Sequence, residues 1–511
     1  MGSYVLRRIA VGLIVLLGAT FIVYQMVAFA ADPLEFLRTS TAPNKAQQIA
    51  HVTEVLDLGT PAVLRYFKWL GGIAGYLWGH GTLGISVATN QPVTHILAGA
   101  VPTTVKLVFG SVILAILLGV AVGIVTALRQ YSAFDYVTTF FTFLFYSLPA
   151  FWVAVLLKEF GAIKFNDFLA RPHIPPGVVV GVAVVAALIA VMVAGGRWRN
   201  RALAGGVAGV AVGLVGWYVA ASGWLSHPGL GIVGIGLTGV GVAVAVVAVT
   251  VGLGNRRVLV TALAVAVLGI VGYVPLQYVF VHASGLVIVL LAVVAVGCGI
   301  GLGALLGGRD RRAAARTGAI VALVIGALTF ADRVLQAWPA YLSSPRVAGR
   351  PIATIGAVTP GLGGSFWFHT MDVATHLLLP TISLVLISFA SYTRYTRSSM
   401  LEVMNQDYIR TARAKGLSER TVVMRHAFRN ALIPLATVVP IDLAAVFGGA
   451  IITERVFSWQ GMGTMFLQAL KAGDPNTVLG YFLVTAVLAI GASIVADVFY
   501  AWLDPRIRVA V

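Results

Sequence analysis

The stretch QDYIRTARAKGLSERTVVMRHAFRNALIP, Gln406 to Pro434, is strongly basic and lies between long apolar runs. Arg410, Arg413, Lys415, Arg420, Arg425 and Arg429 would each cost roughly 2.5 to 3.5 kcal/mol at the centre of a membrane, and nearby carboxylates are too few to neutralise them. The segment therefore belongs in water, as a cytoplasmic loop between membrane spans. Its own pattern predicts that it is folded. Asp407 can N-cap a two-turn helix from Tyr408 to Lys415, and Gly416 supplies a left-handed C-cap. Ser418, followed by Glu419, can cap a second helix that runs to about Leu432 before Pro434.

Composition outside the loop points the same way. The chain has 511 residues, 59% hydrophobic and 10% charged, where soluble proteins average about 25% charged. A soluble fold is excluded. The net charge of +17 is spread as short cationic clusters between apolar runs, which is the positive-inside pattern of a multi-span protein and not a nucleic-acid-binding surface. The single cysteine, Cys298, excludes an intramolecular disulfide and any cysteine-rich metal site, and reads as a small buried hydrophobe.

Twelve apolar spans are predicted. Three lie near 5–31, 103–128 and 134–158, six in the middle, and three after about 375. The N-terminus, with Arg7, Arg8 and Ala28-Phe29-Ala30, has features of a signal peptide. Its apolar run from Ile9 to Ala31 is longer than a signal core, however, so residues 1–31 read as an uncleaved first transmembrane helix. Residues 32–101 are polar and form a small extracytoplasmic lobe, and 102–160 hold the next two core helices. An inserted multi-span region occupies 161–370. Residues 371–511 carry the last three core helices and the loop at 406–434.

The inserted region contains runs near 177–194, 202–221, 229–253, 258–281, 285–306 and 317–335. Basic clusters follow every second span: RWRNR at 197–201, NRR at 255–257 and RDRRAAAR at 309–316. The alternate connections, SHPG at 226–229 and HAS at 282–284, carry no Lys or Arg. With Arg7 and Arg8 inside, every cluster falls inside, together with Arg129, the basic loop, Arg506 and Arg508. An even number of inserted spans preserves this orientation. The inserted helices are rich in Gly, Ala and Val, read as free of charge within the spans, and offer small-residue packing at Gly205 and Gly209. Either they dock another membrane subunit or wall the pore, or they are a lipid-facing addition without transport chemistry.

Further motifs make a family resemblance specific. The loop resembles the coupling loop of ABC importer permeases, in the form carried by the dipeptide and oligopeptide permease family. Gly416 matches the family's glycine, whereas Arg410, Thr411 and Ala412 stand in place of the usual Glu-Ala-Ala and RHAFRNALIP replaces the shorter tail, as in the peptide branch. GHGTLGIS at 79–86, QPVTHILAGAVPTTVKL at 91–107, HLLLPTISLVL at 376–386, TERVFSWQGMG at 453–463 and DVFYAWLDPRIR at 497–508 are similar to other family segments. Together these cover about 300 residues on both sides of the insertion. The resemblance implies an all-α polytopic membrane protein: a six-helix permease core with about six inserted helices. It also implies import with a second permease, two ABC ATPase subunits and an extracytoplasmic substrate-binding protein, of di- or oligopeptides first, with a nickel chelate or an oligosaccharide left open as cargo. The sequence has no GxxxxGK[ST] phosphate loop, so this chain binds no cofactor and ATP and Mg would sit on partner chains.

Within the loop, Thr411, Ala412 and Lys415 present a small or basic face to a partner's groove while Tyr408 and Ile409 pack back on the bundle. The remaining site candidates are polar groups in the core spans: Ser147, Pro149, Ser388, Ser391, Tyr392 and Asp442, which prefer a bundle interior to lipid. Asp442 either meets substrate or pairs with a nearby arginine such as Arg394. No H-E-x-x-H spacing supports an enzyme, and His369, His376 and Asp372 read as interfacial polar residues in preference to a metal site. Two further classes stay open: an ion-gradient-driven secondary transporter, and a non-transporting membrane scaffold built around the inserted helices.

Overall fold

Long apolar runs become helices because lipid offers no partner to a backbone N–H or C=O, and a helix satisfies both within one segment. The computed structural model describes residues 2–30, 32–39, 41 and 43–503. Among these, the regular elements are helical, and the one β-type pairing is an isolated bridge between Ile85 and Pro92. Ten helices are long and apolar enough to cross a membrane, and a bent pair, Ala133–Ser147 with Ala150–Ala170, makes eleven if it counts as one span. The twelfth run is the Ile433–Val456 helix, whose apolar stretch Ile433–Leu443 is shorter. The protein is an all-α, multi-pass membrane protein. Arg506 and Arg508, with the end of the DVFYAWLDPRIR segment, lie outside the described residues.

The chain divides into two compact units. The first comprises Met1–Ala162, Thr354–Ala357 and Leu377–Val511. Its second long helix is Val93–Leu128, starting ten residues before the predicted span at 103. Pro92 is the N-cap, Val93, Leu97 and Ala100 are buried on one face, and Pro102 is accommodated inside the helix. Ahead of it, the Ala62–Leu77 helix packs through Tyr66 and Trp69 on Tyr24 of the Gly2–Ala30 helix. The predicted span at 134–158 is not straight. The Ala133–Ser147 and Ala150–Ala170 helices meet at 104°, because Leu148 precedes Pro149 and is held extended at ψ 131°.

Two glycines bring the Val93–Leu128 helix onto the Phe366–Met404 helix. A Cβ on Gly119 would lie 2.6 Å from Tyr392 Cβ, and one on Gly123 would lie 2.6 Å from Thr396 Cβ. At the opposite end of the unit from the basic loop, buried carboxylates tie distant segments together. Glu454 accepts from Thr104 Oγ1 at 2.5 Å and from Thr464 N at 3.0 Å. A Cβ on Gly461 would sit within 2.3 Å of Glu454 Oε1, so the TERVFSWQGMG turn needs glycine there for close approach. Asp474 accepts from Ser86 Oγ at 2.5 Å and from Thr477 Oγ1 at 2.8 Å, which fastens the end of GHGTLGIS to the start of the Pro475–Leu503 helix.

The second unit comprises Ile163–Ala353 and Val358–His376. It holds the helices Pro176–Val193, Trp198–Ala221, Gly231–Thr250, Arg256–Val281, Gly285–Leu306 and Arg311–Leu335. Close backbone contact dominates their packing. Gly205 and Gly209 approach Ala187 and Val191, and a Cβ on Gly303 would lie 2.3 Å from Ala315 Cα. Two expectations fail here. Asp332 and Arg333 stand in the last turns of the final inserted helix, and Asp332 is fully buried. Its carboxylate is satisfied by Leu230 N, Gly231 N, Tyr273 Oη and Gln336 Nε2, which is why lipid tolerates it. Cys298 is exposed and lines a groove of about 570 Å³ between three of these helices.

Candidate functional site

The basic loop folds largely as its caps dictate. The first helix is Asp407–Ala414, with Gln406 as N-cap, so Asp407 is its first helical residue and not its cap. The Asp407 carboxylate instead faces Arg410 at 3.5 Å. Gly416 adopts φ +74°, the left-handed conformation required of the C-cap, and among the described residues nothing lies within 4 Å of where its Cβ would be. Ser418 Oγ accepts from Thr421 N and opens Glu419–Thr421. The chain then passes through a wider helical turn, Val422–Ala427, and Phe428–Ala431. Pro434 does not end a helix. It stands in the first turn of Ile433–Val456, where its missing N–H has no intrahelical partner to lose.

The loop rests on an apolar bed. Ile409, Ala412, Val422, Val423, Ala427 and Ala431 pack with Ala127 and Met400. Ile409 turns inward as predicted, but Ala412 does too, at 5% exposure, while Tyr408 is 43% exposed. Residues three and four apart share a helix face, so 409 and 412 go in together and Tyr408, Thr411 and Lys415 form the outer face. Tyr408 Oη accepts from Asn430 Nδ2 at 2.9 Å. Arg413 and Glu419 clasp across Gly416 at 2.7 Å, and the guanidinium holds the Glu419 carboxyl below its ordinary range. The clasp is exposed and therefore worth little energetically. It is present at neutral pH and lost as acid protonates Glu419.

The polar interior is divided. Ser388 and Tyr392 are buried on the Phe366–Met404 helix and face Asp442 of Ile433–Val456, with Ser391 half-buried on the same turn. Among the described residues, Tyr392 Oη and Asp442 Oδ2 lie near one another without a hydrogen bond of ordinary geometry. Asp442 does not pair with Arg394, whose guanidinium instead lies 4.4 Å from the centre of the Tyr146 ring and 5.6 Å from that of Phe143. Ser147 is exposed and donates to Leu144 O at 2.9 Å, and Pro149 caps the next helix. These two therefore mark the bend.

Sequence reasoning missed an ion pair at the loop end of the unit. Arg397 Nε and a terminal nitrogen reach the two Asp135 oxygens at 2.8 and 2.9 Å, and the carboxylate is buried. The signal in the sequence is that Asp135 is the sole acidic residue between Asp57 and Glu159. In the second unit Asp372 accepts from Tyr341 Oη, Thr359 Oγ1 and Thr359 N, while His376 Nδ1 lies 2.8 Å from the Asp372 carbonyl. Among the described residues no three His, Cys, Asp or Glu side chains gather as metal ligands.

Comparison with known proteins adds an independent finding. Residues 299–509 match the family described as binding-protein-dependent transport system inner membrane component. The oligopeptide transport system permease protein OppB of Mycobacterium tuberculosis is 40% identical over 155 residues, 30% of this chain and 48% of that protein. The oligopeptide transport system permease protein AppB of Bacillus subtilis is 41% identical over 141 residues, 28% and 45% of the two chains. The dipeptide transport system permease protein DppB of Escherichia coli is 44% identical over 138 residues, 27% and 41%. The chain thus spans about half the length of the curated relatives it matches.

Proposed function

We propose that this chain, which carries the inner membrane component domain of binding-protein-dependent transport systems in residues 299–509, is the permease subunit of an ATP-driven peptide importer. The observation that carries the reading is the basic loop, a short helix fixed on an apolar bed by Ile409 and Ala412 and ended at Gly416, with Tyr408, Thr411 and Lys415 exposed on its outer side. Such a helix fits a groove on a partner ATPase, and a partner that closes on ATP would push it as a lever. ATP and Mg reside on two ABC ATPase subunits, a second related permease completes the path, and an extracytoplasmic binding protein delivers di- or oligopeptides. Both termini and the loop face the cytoplasm, in keeping with the distribution of Lys and Arg.

In this reading residues 161–370 are an insertion into a six-helix core, and the hydroxyls of Ser388, Ser391 and Tyr392 with Asp442 stand beside the path. Peptide chemistry suits such a path, since hydroxyls and a carboxylate can meet amide and ammonium groups in turn. The test is co-purification of the tagged chain from its native membrane. A Walker-motif ATPase should come with it, and peptide uptake into vesicles should require ATP. Uptake driven by an ion gradient with no ATPase bound would replace this reading with that of a secondary transporter. Complexes that assemble but move no peptide would favour the scaffold.

A further inference from the structure

The Ala133–Ser147 helix is held in an unusual way. Of its residues only Asp135 and Thr142 are buried, and Tyr136, Val137, Phe140, Phe141, Phe143, Leu144 and Tyr146 are all exposed. Its attachment to the first unit therefore rests on few groups. Arg397 grips Asp135 with two parallel hydrogen bonds at 2.8 and 2.9 Å. One helical turn away, Arg394 lies over the Tyr146 and Phe143 rings. Both arginines belong to the Phe366–Met404 helix.

The turn that leads into the bent pair is bound into the same knot. Asp135 Oδ2 also accepts from Tyr131 N at 3.0 Å, and Ser132 Oγ accepts from Asp135 N at 3.2 Å. Tyr131 is held at φ +61°, a conformation that a tyrosine keeps only where its surroundings impose it. On the other side, Arg397 is one turn before Met400, and Met400 is packed against Ile409 and Ala412 of the loop helix. A displacement of the loop helix would reach Met400 through close-packed side chains, and these do not compress.

We propose that Asp135 and Arg397 form a strut that carries movement of the Asp407–Ala414 helix to the Ala133–Ser147 helix, and so to its bend at Ser147–Pro149. They are positioning residues: neither touches peptide or nucleotide, and each acts by making two helices move as one. The inference rests on the loop being the ATPase-coupling element. An ion pair suits the task because its bidentate fork fixes orientation as well as distance. An apolar contact at the same place would let the exposed helix roll.

The test uses the complete importer in vesicles, with peptide uptake and ATP hydrolysis measured on the same preparation. Asp135→Asn and Arg397→Gln should each lower uptake about tenfold while hydrolysis falls less than about twofold, the size of a typical coupling between sites. Co-purification of the ATPase should not change. Arg397→Lys, which keeps the charge but loses the fork, should fall between these and the parent. Exchanging the charges, Asp135→Arg with Arg397→Asp, should restore the uptake only in part, because an arginine at position 135 cannot accept from Tyr131 N. Normal uptake in the single variants would overturn the strut, and so would uptake and hydrolysis falling in parallel. If instead the parent chain brings down no ATPase, the failure lies with the coupling-loop reading itself.

Discussion

The two units treat the ends of their helices that carry the basic residues in opposite ways. In the first unit that end is a folded structure: the loop lies on its apolar bed and Asp135 is buried against Arg397. In the second unit the corresponding clusters, RWRNR, NRR and RDRRAAAR, sit on turns and first helical turns. Asp310 is exposed there and accepts from Asn255 Nδ2 at 2.9 Å. The second unit keeps its buried carboxylates, Asp332 and Asp372, elsewhere, and packs its spans through glycine and alanine. Similar apolar composition thus serves two purposes. In the proposed importer a solvated cationic turn would set orientation in the membrane, whereas a packed and clamped loop would also transmit force.

The contrast predicts its largest effect at Gly416. With φ +74°, any other residue there meets strain of roughly 1–2 kcal/mol, and a branched side chain adds bulk where a partner must approach. Gly416→Val should abolish peptide-dependent ATP hydrolysis and uptake in vesicles while the chain still inserts. Lys415→Ala should reduce uptake only a few-fold, because a rim charge mainly tunes association. Near-normal uptake by Gly416→Val would remove the distinction between a working loop and an ordinary turn.

A smaller effect is expected at the close contacts of the second unit. A Cβ at Gly303 would fall 2.3 Å from Ala315 Cα, so Gly303→Leu must pry two helices apart. Overpacking of this kind costs about 1–3 kcal/mol. Thermal unfolding in detergent should show the loss, and ATPase co-purification should be that of the parent. Reduced ATPase binding would mean that the second unit supports the loop after all.

What could be read from sequence follows the range of the forces involved. The caps at Gly416 and Ser418 are local, and they appear where the residues demand. The spans follow from apolar length, and most are where the runs lie. The bend at Leu148–Pro149 was also written locally, in a residue preceding a proline, but a continuous apolar run concealed it. Ala412 faced inward because it lies three residues from Ile409, a periodicity that outweighs the small side chain's suitability for a partner's groove. Asp135 and Arg397 are 262 residues apart, and Glu454 and Thr104 are 350 apart. No pattern in one sequence specifies which lone carboxylate meets which hydroxyl or arginine. Asp332 was hidden for a different reason: a charge near the end of a span looks interfacial until its donors, from Leu230, Gly231, Tyr273 and Gln336, are seen to enclose it.

The smallest expected effect is the sharpest test of the contrast, since it predicts no change in ATPase binding after a large deletion. Replacing Gly177 to Leu335 with a short polar linker removes the six inserted spans. The bed beneath the loop consists of Ala127, Met400, Ile409, Ala412, Val422, Val423, Ala427 and Ala431, and all of these lie in the first unit. The ATPase should therefore still co-purify with protein inserted in the membrane. Some loosening is expected within the remainder of the second unit. Trp367 donates to Phe280 O at 2.6 Å and meets the Phe280 ring edge to face, and both contacts vanish with the deletion. Faster proteolysis near the start of the Phe366–Met404 helix should report that loss. If the ATPase is lost while the shortened chain is still inserted, the inserted helices are part of the working core and the division of labour between the two units is wrong.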